Sequence, residues 1–156
     1  MKSRENFDGF VKEEMQILKS LNTNISWEDS EWNCSSWLFH RGSSNSISFR
    51  ELGTVGKKKL EPLPYPYMDF CKAVVTYLQR TKGIGFIAVH KYTIECRRLF
   101  GIMKERGENE PSQFTRWHFE RALELLNEAN YKNFYDASAS LKVIADVIVS
   151  ISQSWD

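Results

Sequence analysis

Apolar side chains recur every three or four residues along most of this 156-residue chain. Between Asn6 and Leu21, Phe7, Val11, Met15 and Leu18 keep that spacing, which predicts an amphipathic helix. The rhythm is lost from Asn22 to Leu60, where Ser, Asn, Trp and Gly take over. Within that stretch "SWLFHRGSSNSISFREL" predicts a hairpin, with Trp37 to Arg41 and Ser46 to Arg50 as strands around Gly42-Ser43-Ser44-Asn45. Pro62, Pro64 and Pro66 then keep the backbone extended and permit a helix to begin. Helical spacing resumes with Tyr67, Phe70, Cys71, Val74 and Leu78, ended by Gly83 at a left-handed cap. Val89, Tyr92, Cys96, Leu99, Phe100 and Met103 form a second stripe, closed by Gly107. Pro111 starts the next element, in which Thr115 is the N-cap and Phe114 with Phe119 the hydrophobic staple, before Ala122, Leu126 and Ala129. Leu141, Ile144, Ala145, Ile148 and Ile151 give a fourth stripe, capped by Asp136 or Ser138. The expected fold is mainly α. Residues 63–156 form a four-helix bundle, preceded in residues 1–62 by an accessory segment of one helix and a β-hairpin.

Composition narrows the class. A hydrophobic fraction of 42% with 13% aromatics is that of a globular chain, and no apolar run approaches the ~20 residues that span a membrane. The opening "MKSRENFDGF" lacks the apolar region of a signal peptide, so a cytoplasmic protein is expected. Cys34, Cys71 and Cys96 are an odd number at wide spacing, which fits neither a disulfide framework nor zinc ligation. His40, His90 and His118 have no carboxylate or cysteine at ligand spacing, so neither metal nor cofactor is expected. The acid and base of "HFE", His118 to Glu120, point to different helix faces and give little support to an active site.

The net charge of +1 hides an asymmetry. Residues 79–106 carry seven cations, Arg80, Lys82, Lys91, Arg97, Arg98, Lys104 and Arg106, against Glu95 and Glu105. Residues 107–156 carry four cations and eight anions. A focused basic stretch is the footprint of a polyanion-binding face, while an ordinary solvated helix face is the competing account. Within it "RTKGIGFIAVHKY" places Gly83 and Gly85 between two helices. Neither the dinucleotide nor the triphosphate glycine pattern is present, so the pair joins helices and leaves N–H groups of the second able to meet one phosphate. Lys82, Lys91 and Arg98 read as one cationic strip, with Arg97 and Lys104 as its neighbour. Arg116 and His118 open the third helix of the bundle, and Ser138, Ser140 and Lys142 open the fourth with donors for a DNA backbone or base edge. Pairing of Lys91 with Glu95, and of Arg98 with Glu95 or Glu105, is the structural alternative. Trp27, Trp32 and Trp37 are five apart and read as packing over the hairpin and first helix, and Lys57-Lys58-Lys59 as a solubilising tip.

The run from Pro64 to Ile151 contains "PYMDFCKAVVTYLQRTKGIGFIAVHKYTIECRRLF", "PSQFTRWHFERALELL" and "YDASASLKVIADVI". It resembles the core-binding domain of phage-type integrases of the tyrosine recombinase family. Lys91-Tyr92 with Cys96, Leu99 and Phe100 fits that family's second helix, Phe114-Thr115-Arg116 its third helix start, and Ser138 to Leu141 its fourth. The resemblance implies a SAM-like bundle that clamps the recombination site on double-stranded DNA and meets other recombinase protomers. It also implies a separate catalytic domain, whose Arg, Lys, His-x-x-Arg box and nucleophilic tyrosine have no counterpart here, so the chain is expected to be a noncatalytic N-terminal portion. A helical protein-interaction module that binds an acidic partner through residues 80–106 is the alternative.

Overall fold

The computed structural model describes residues 2–38, 45–50, 62–130 and 132–152. They form five α-helices and one two-stranded sheet in the order α1 (Lys2–Ser20), β1 (Glu31–Asn33), β2 (Ser46–Ser48), α2 (Tyr65–Lys82), α3 (Phe86–Glu105), a single 3-10 turn (Pro111–Gln113), α4 (Arg116–Glu128) and α5 (Phe134–Ile151). The chain is mainly helical, as its periodicity requires. Every residue of the α2 stripe is buried, from Tyr67 to Leu78. In the α3 stripe only Tyr92 stays partly exposed.

The punctuation between helices follows its residues. Gly83 caps α2 with φ 63°, ψ 32°, a left-handed conformation that glycine adopts without steric cost, and its N–H donates to the Gln79 carbonyl. Thr115 is the N-cap of α4, and Phe114 and Phe119 meet across it with ring centroids 5.9 Å apart. The α2–α3 pair is antiparallel, with Tyr67 near the start of α2 stacked on Phe100 near the end of α3 at 4.5 Å. Helix α1 runs alongside α2 in the same direction, because Phe7 meets Phe70 and Glu14 binds Arg80 further along.

Three boundaries differ from expectation. The strand that pairs antiparallel with Ser46–Ser48 is Glu31–Asn33, so that Trp32 faces Ile47; of the expected first strand, Trp37 to Arg41, only Trp37 and Leu38 lie among the described residues. Trp37 and Leu38 instead enter a turn, in which both of their N–H groups donate to the Cys34 carbonyl. Residues 39–44, including most of the expected hairpin loop, lie outside the described residues, as does the Lys57-Lys58-Lys59 tip. Pro111 opens the 3-10 turn, and α4 starts five residues later at Arg116. Asn133, not Asp136 or Ser138, is the N-cap of α5. Asp136 and Ser138 fall inside the helix, where Ser138 Oγ donates back to the Phe134 carbonyl at 2.7 Å.

The N-terminal segment and the helices share one hydrophobic core. One polar link within it is Lys72, in the middle of α2 and 1% exposed. The Lys72 ammonium donates to the Trp27 carbonyl and lies 6.0, 5.4 and 5.5 Å from the ring centroids of Trp27, Trp32 and Phe49. Burial lowers its pKa from the ordinary 10.5, and the charges of Asp69, Cys71, Glu28 and Asp29 pull the other way. Asp69 also accepts from Trp27 Nε1 at 3.2 Å. Trp27 and Trp32 therefore pack with Phe49 around a cation on α2, in an internal aromatic cage, and Trp37 packs against Trp32.

Candidate functional site

The cations of residues 79–106 do not form one surface. Arg80 grips the buried carboxylate of Glu14 through two hydrogen bonds of 2.8 and 2.6 Å, fastening α1 to α2. Arg97 reaches sideways to the hairpin, where its Nη1 donates to the Ser48 carbonyl at 3.0 Å. Its Nε is buried with no partner among the described residues. Arg98 is 5% exposed and bound to Glu95 one turn earlier, at 2.8 and 3.3 Å. Burial pushes the Glu95 carboxyl up, while the guanidinium of Arg98 holds it down. The expected strip of Lys82, Lys91 and Arg98 is thus broken at Arg98, and the Arg97–Lys104 strip at Arg97. Helix α3 packs against α2, α4 and α5 together, which encloses Arg98 and leaves Arg97 partly covered.

Lys91 and Ser140 do come together. Between α3 and the start of α5 runs a groove of about 660 Å³, floored by Phe86, Ala88, Tyr92, Ala139 and Val143. Lys91 and Asp136 stand on its rim at 3.8 Å, both more than half exposed, and buried Ser140 lines it. The helix starts converge here. The α3 N-terminus has extended Gly85 as its N-cap, no side-chain cap and no acid in its first turn, and Phe86, Ile87 and Ala88 line the groove. The N–H groups of Ile87 and Ala88 have no carbonyl four residues back within the helix. Lys82, the exposed last residue of α2, is three residues before Gly85. Two large apolar side chains also stand open to solvent at this end, Ile87 at 61% and Tyr135 at 87% exposure.

The other expected residues are dispersed. Lys104 and Arg116 are exposed at the opposite end of α3, and Lys142 is exposed along α5. Ser138 is half-buried, with its hydroxyl engaged within its own helix. His118, one turn into α4, is fully buried and out of reach of a phosphate in solvent. Its Nδ1 accepts from the Thr115 N–H at 2.9 Å, which leaves Nε2–H to donate to Glu108 at 2.6 Å. This is a capping box with histidine in the place of the usual Glu or Gln.

Sequence reasoning missed Asp136 as the partner of Lys91, and it missed the pairing of Arg106 with Trp117, whose indole centroid lies 4.1 Å from the Arg106 guanidinium carbon. No local spacing signals the second, since Arg106 and Trp117 are eleven residues apart at the end of one helix and the start of the next. Among the described residues no group of His, Cys, Asp and Glu could hold a metal ion, and no helix is long and apolar enough to cross a membrane. No protein-family model, curated protein or solved structure matches the chain.

Proposed function

We propose that this chain is the DNA-binding portion of a site-specific recombinase of the tyrosine recombinase class, with a SAM-like bundle laid against duplex DNA. The observation that carries this reading is the α3–α5 groove, where a helix start with no side-chain cap among the described residues, Lys91 and the hydroxyl of Ser140 meet, with Lys82 close by in sequence. The Lys91–Asp136 pair does not argue against it. A long, exposed pair of this kind contributes about 0–1 kcal/mol, so a phosphate can displace the carboxylate. Affinity comes from counterion release at Lys82, Lys91 and Lys142, with Lys104 and Arg116 at the far end; Arg97, Arg98 and Ser138 serve the fold. No catalytic step is assigned to this chain, and its natural context is cytoplasmic, with duplex DNA and other protomers as partners.

The exposed Ile87 and Tyr135 favour a second reading, in which the same groove receives an apolar segment of a protein partner. Fluorescence anisotropy with a labelled duplex across a salt series separates the two. DNA binding predicts a log-log slope of about −0.9 per phosphate neutralised. Absence of duplex binding at ~50 mM salt overturns the recombinase reading and leaves the protein partner.

A further inference from the structure

We propose that Arg106, Trp117 and Arg116 form a second phosphate-binding patch for the same duplex, at the opposite end of α3 from the groove. This rests on the DNA-binding reading above. Arg106 is the C-cap of α3, and Trp117 and Arg116 open α4. The Arg106 guanidinium lies 4.1 Å from the indole centroid, and both side chains are close to half exposed. Packing against the ring engages the face of the guanidinium, and its N–H edge stays able to meet a phosphate in a fixed orientation. The Trp117 side is held in turn by the Thr115–His118 cap. One carboxylate competes, since Glu108 lies 3.7 Å from Arg106, but the same oxygen already accepts from His118 at 2.6 Å. Arg116 adds an exposed cation at the first position of α4.

Helix geometry sets the relation to the groove. Arg106 follows Lys91 by 15 residues, a rise of roughly 22 Å and a net turn of about 60°. The two cations therefore stand at opposite ends of α3, about 60° apart around its axis. At about 3.4 Å per base step along a strand, that rise covers some six or seven steps. A rigid helix that holds a phosphate at each end requires a duplex at least that long.

Anisotropy titrations with hairpin DNAs of about six and about fourteen base pairs in the stem test this, using wild type, Arg106→Gln, Arg116→Gln and Trp117→Leu. Wild type should bind the long stem about tenfold or more tightly than the short one. Each variant should weaken the long-stem complex and lower the salt slope by about 0.9 for each phosphate no longer neutralised, with short-stem binding unchanged. Arg116→Gln changes an exposed residue, so it keeps the test valid if Trp117→Leu fails to fold. Wild-type binding that all three variants retain on the long stem overturns this patch alone, as does equal affinity for both stems. Failure of wild type to bind any duplex overturns the DNA-binding reading and this patch with it. Variants that bind DNA normally but lose self-association, measured by sedimentation, would assign the patch to a protein interface instead.

Discussion

Helix α3 carries two kinds of cation, and their surroundings give them opposite roles. Lys91 stands at the rim of an open groove, 3.8 Å from Asp136 and half exposed, so its charge is available to a ligand. Arg98, seven residues on, is enclosed with Glu95, and its charge is satisfied inside the protein. The same contrast divides α2, where Lys72 is shut inside an aromatic cage and Lys82 is exposed at the last turn. Linear charge density therefore overstates the surface field. Of the seven cations in residues 79–106, Arg80 and Arg97 hold elements together, and Arg98 is paired inside α3.

The enclosed cation is the more sensitive to change. Removing one member of a buried pair leaves an uncompensated charge, so Arg98→Ala should cost about 3–5 kcal/mol in urea unfolding. The double change Arg98→Met with Glu95→Leu should recover most of that loss, because well-packed apolar residues replace a buried pair at little cost. If Arg98→Ala unfolds like wild type, the pair is not buried in solution.

Lys72 gives the next effect in size, and it depends on pH. Its folded pKa lies below the ordinary 10.5, so between those two values the unfolded chain holds a proton that the folded chain has released. Stability should rise with pH across that window, and below it the full cost of burying the charge remains. Lys72→Met should abolish the rise, followed by urea unfolding from pH 7 to 10.5 with tryptophan fluorescence as the probe. A rise that persists in Lys72→Met would assign it to another group.

A third effect tests the capping network. His118→Ala removes the acceptor of the Thr115 N–H and the donor to Glu108, and should destabilise by about 2 kcal/mol. Nitrogen NMR should show the imidazole protonated at Nε2, and an Nδ1–H tautomer would contradict the network.

What could be read from the sequence follows from which interactions are local. The helices of residues 65–151 announce themselves because stripe, cap and staple lie within a few residues of one another; Gly83, Thr115 and the Phe114–Phe119 pair needed no tertiary information. The hairpin was misplaced because its pairing is set by distant burial. Trp32 is drawn inward toward Phe49 and Lys72, and Trp37 commits its N–H to a turn. Nothing local distinguishes the two tryptophans. The candidate site suffered in the same way, since Glu95 is one turn from Arg98 but Asp136 is 45 residues from Lys91. Spacing on a helical wheel can place Lys91 and Arg98 on one side, but only the neighbouring helices decide which of them is covered.

The mildest perturbation of stability is the most informative for function. Lys91→Ala removes an exposed pair and should change unfolding free energy by less than about 1 kcal/mol. In duplex binding it should reduce affinity and lower the magnitude of the salt slope by about 0.9, the contribution of a single phosphate. Asp136→Asn should do the reverse for affinity, because the competing carboxylate is gone while Lys91 and the α3 start remain. Opposite signs from two residues 3.8 Å apart, with thermal unfolding unchanged in both, are expected of a groove that takes an anion. Equal losses from both would mean that the pair acts as a structural unit, and would remove Lys91 from the DNA-facing set.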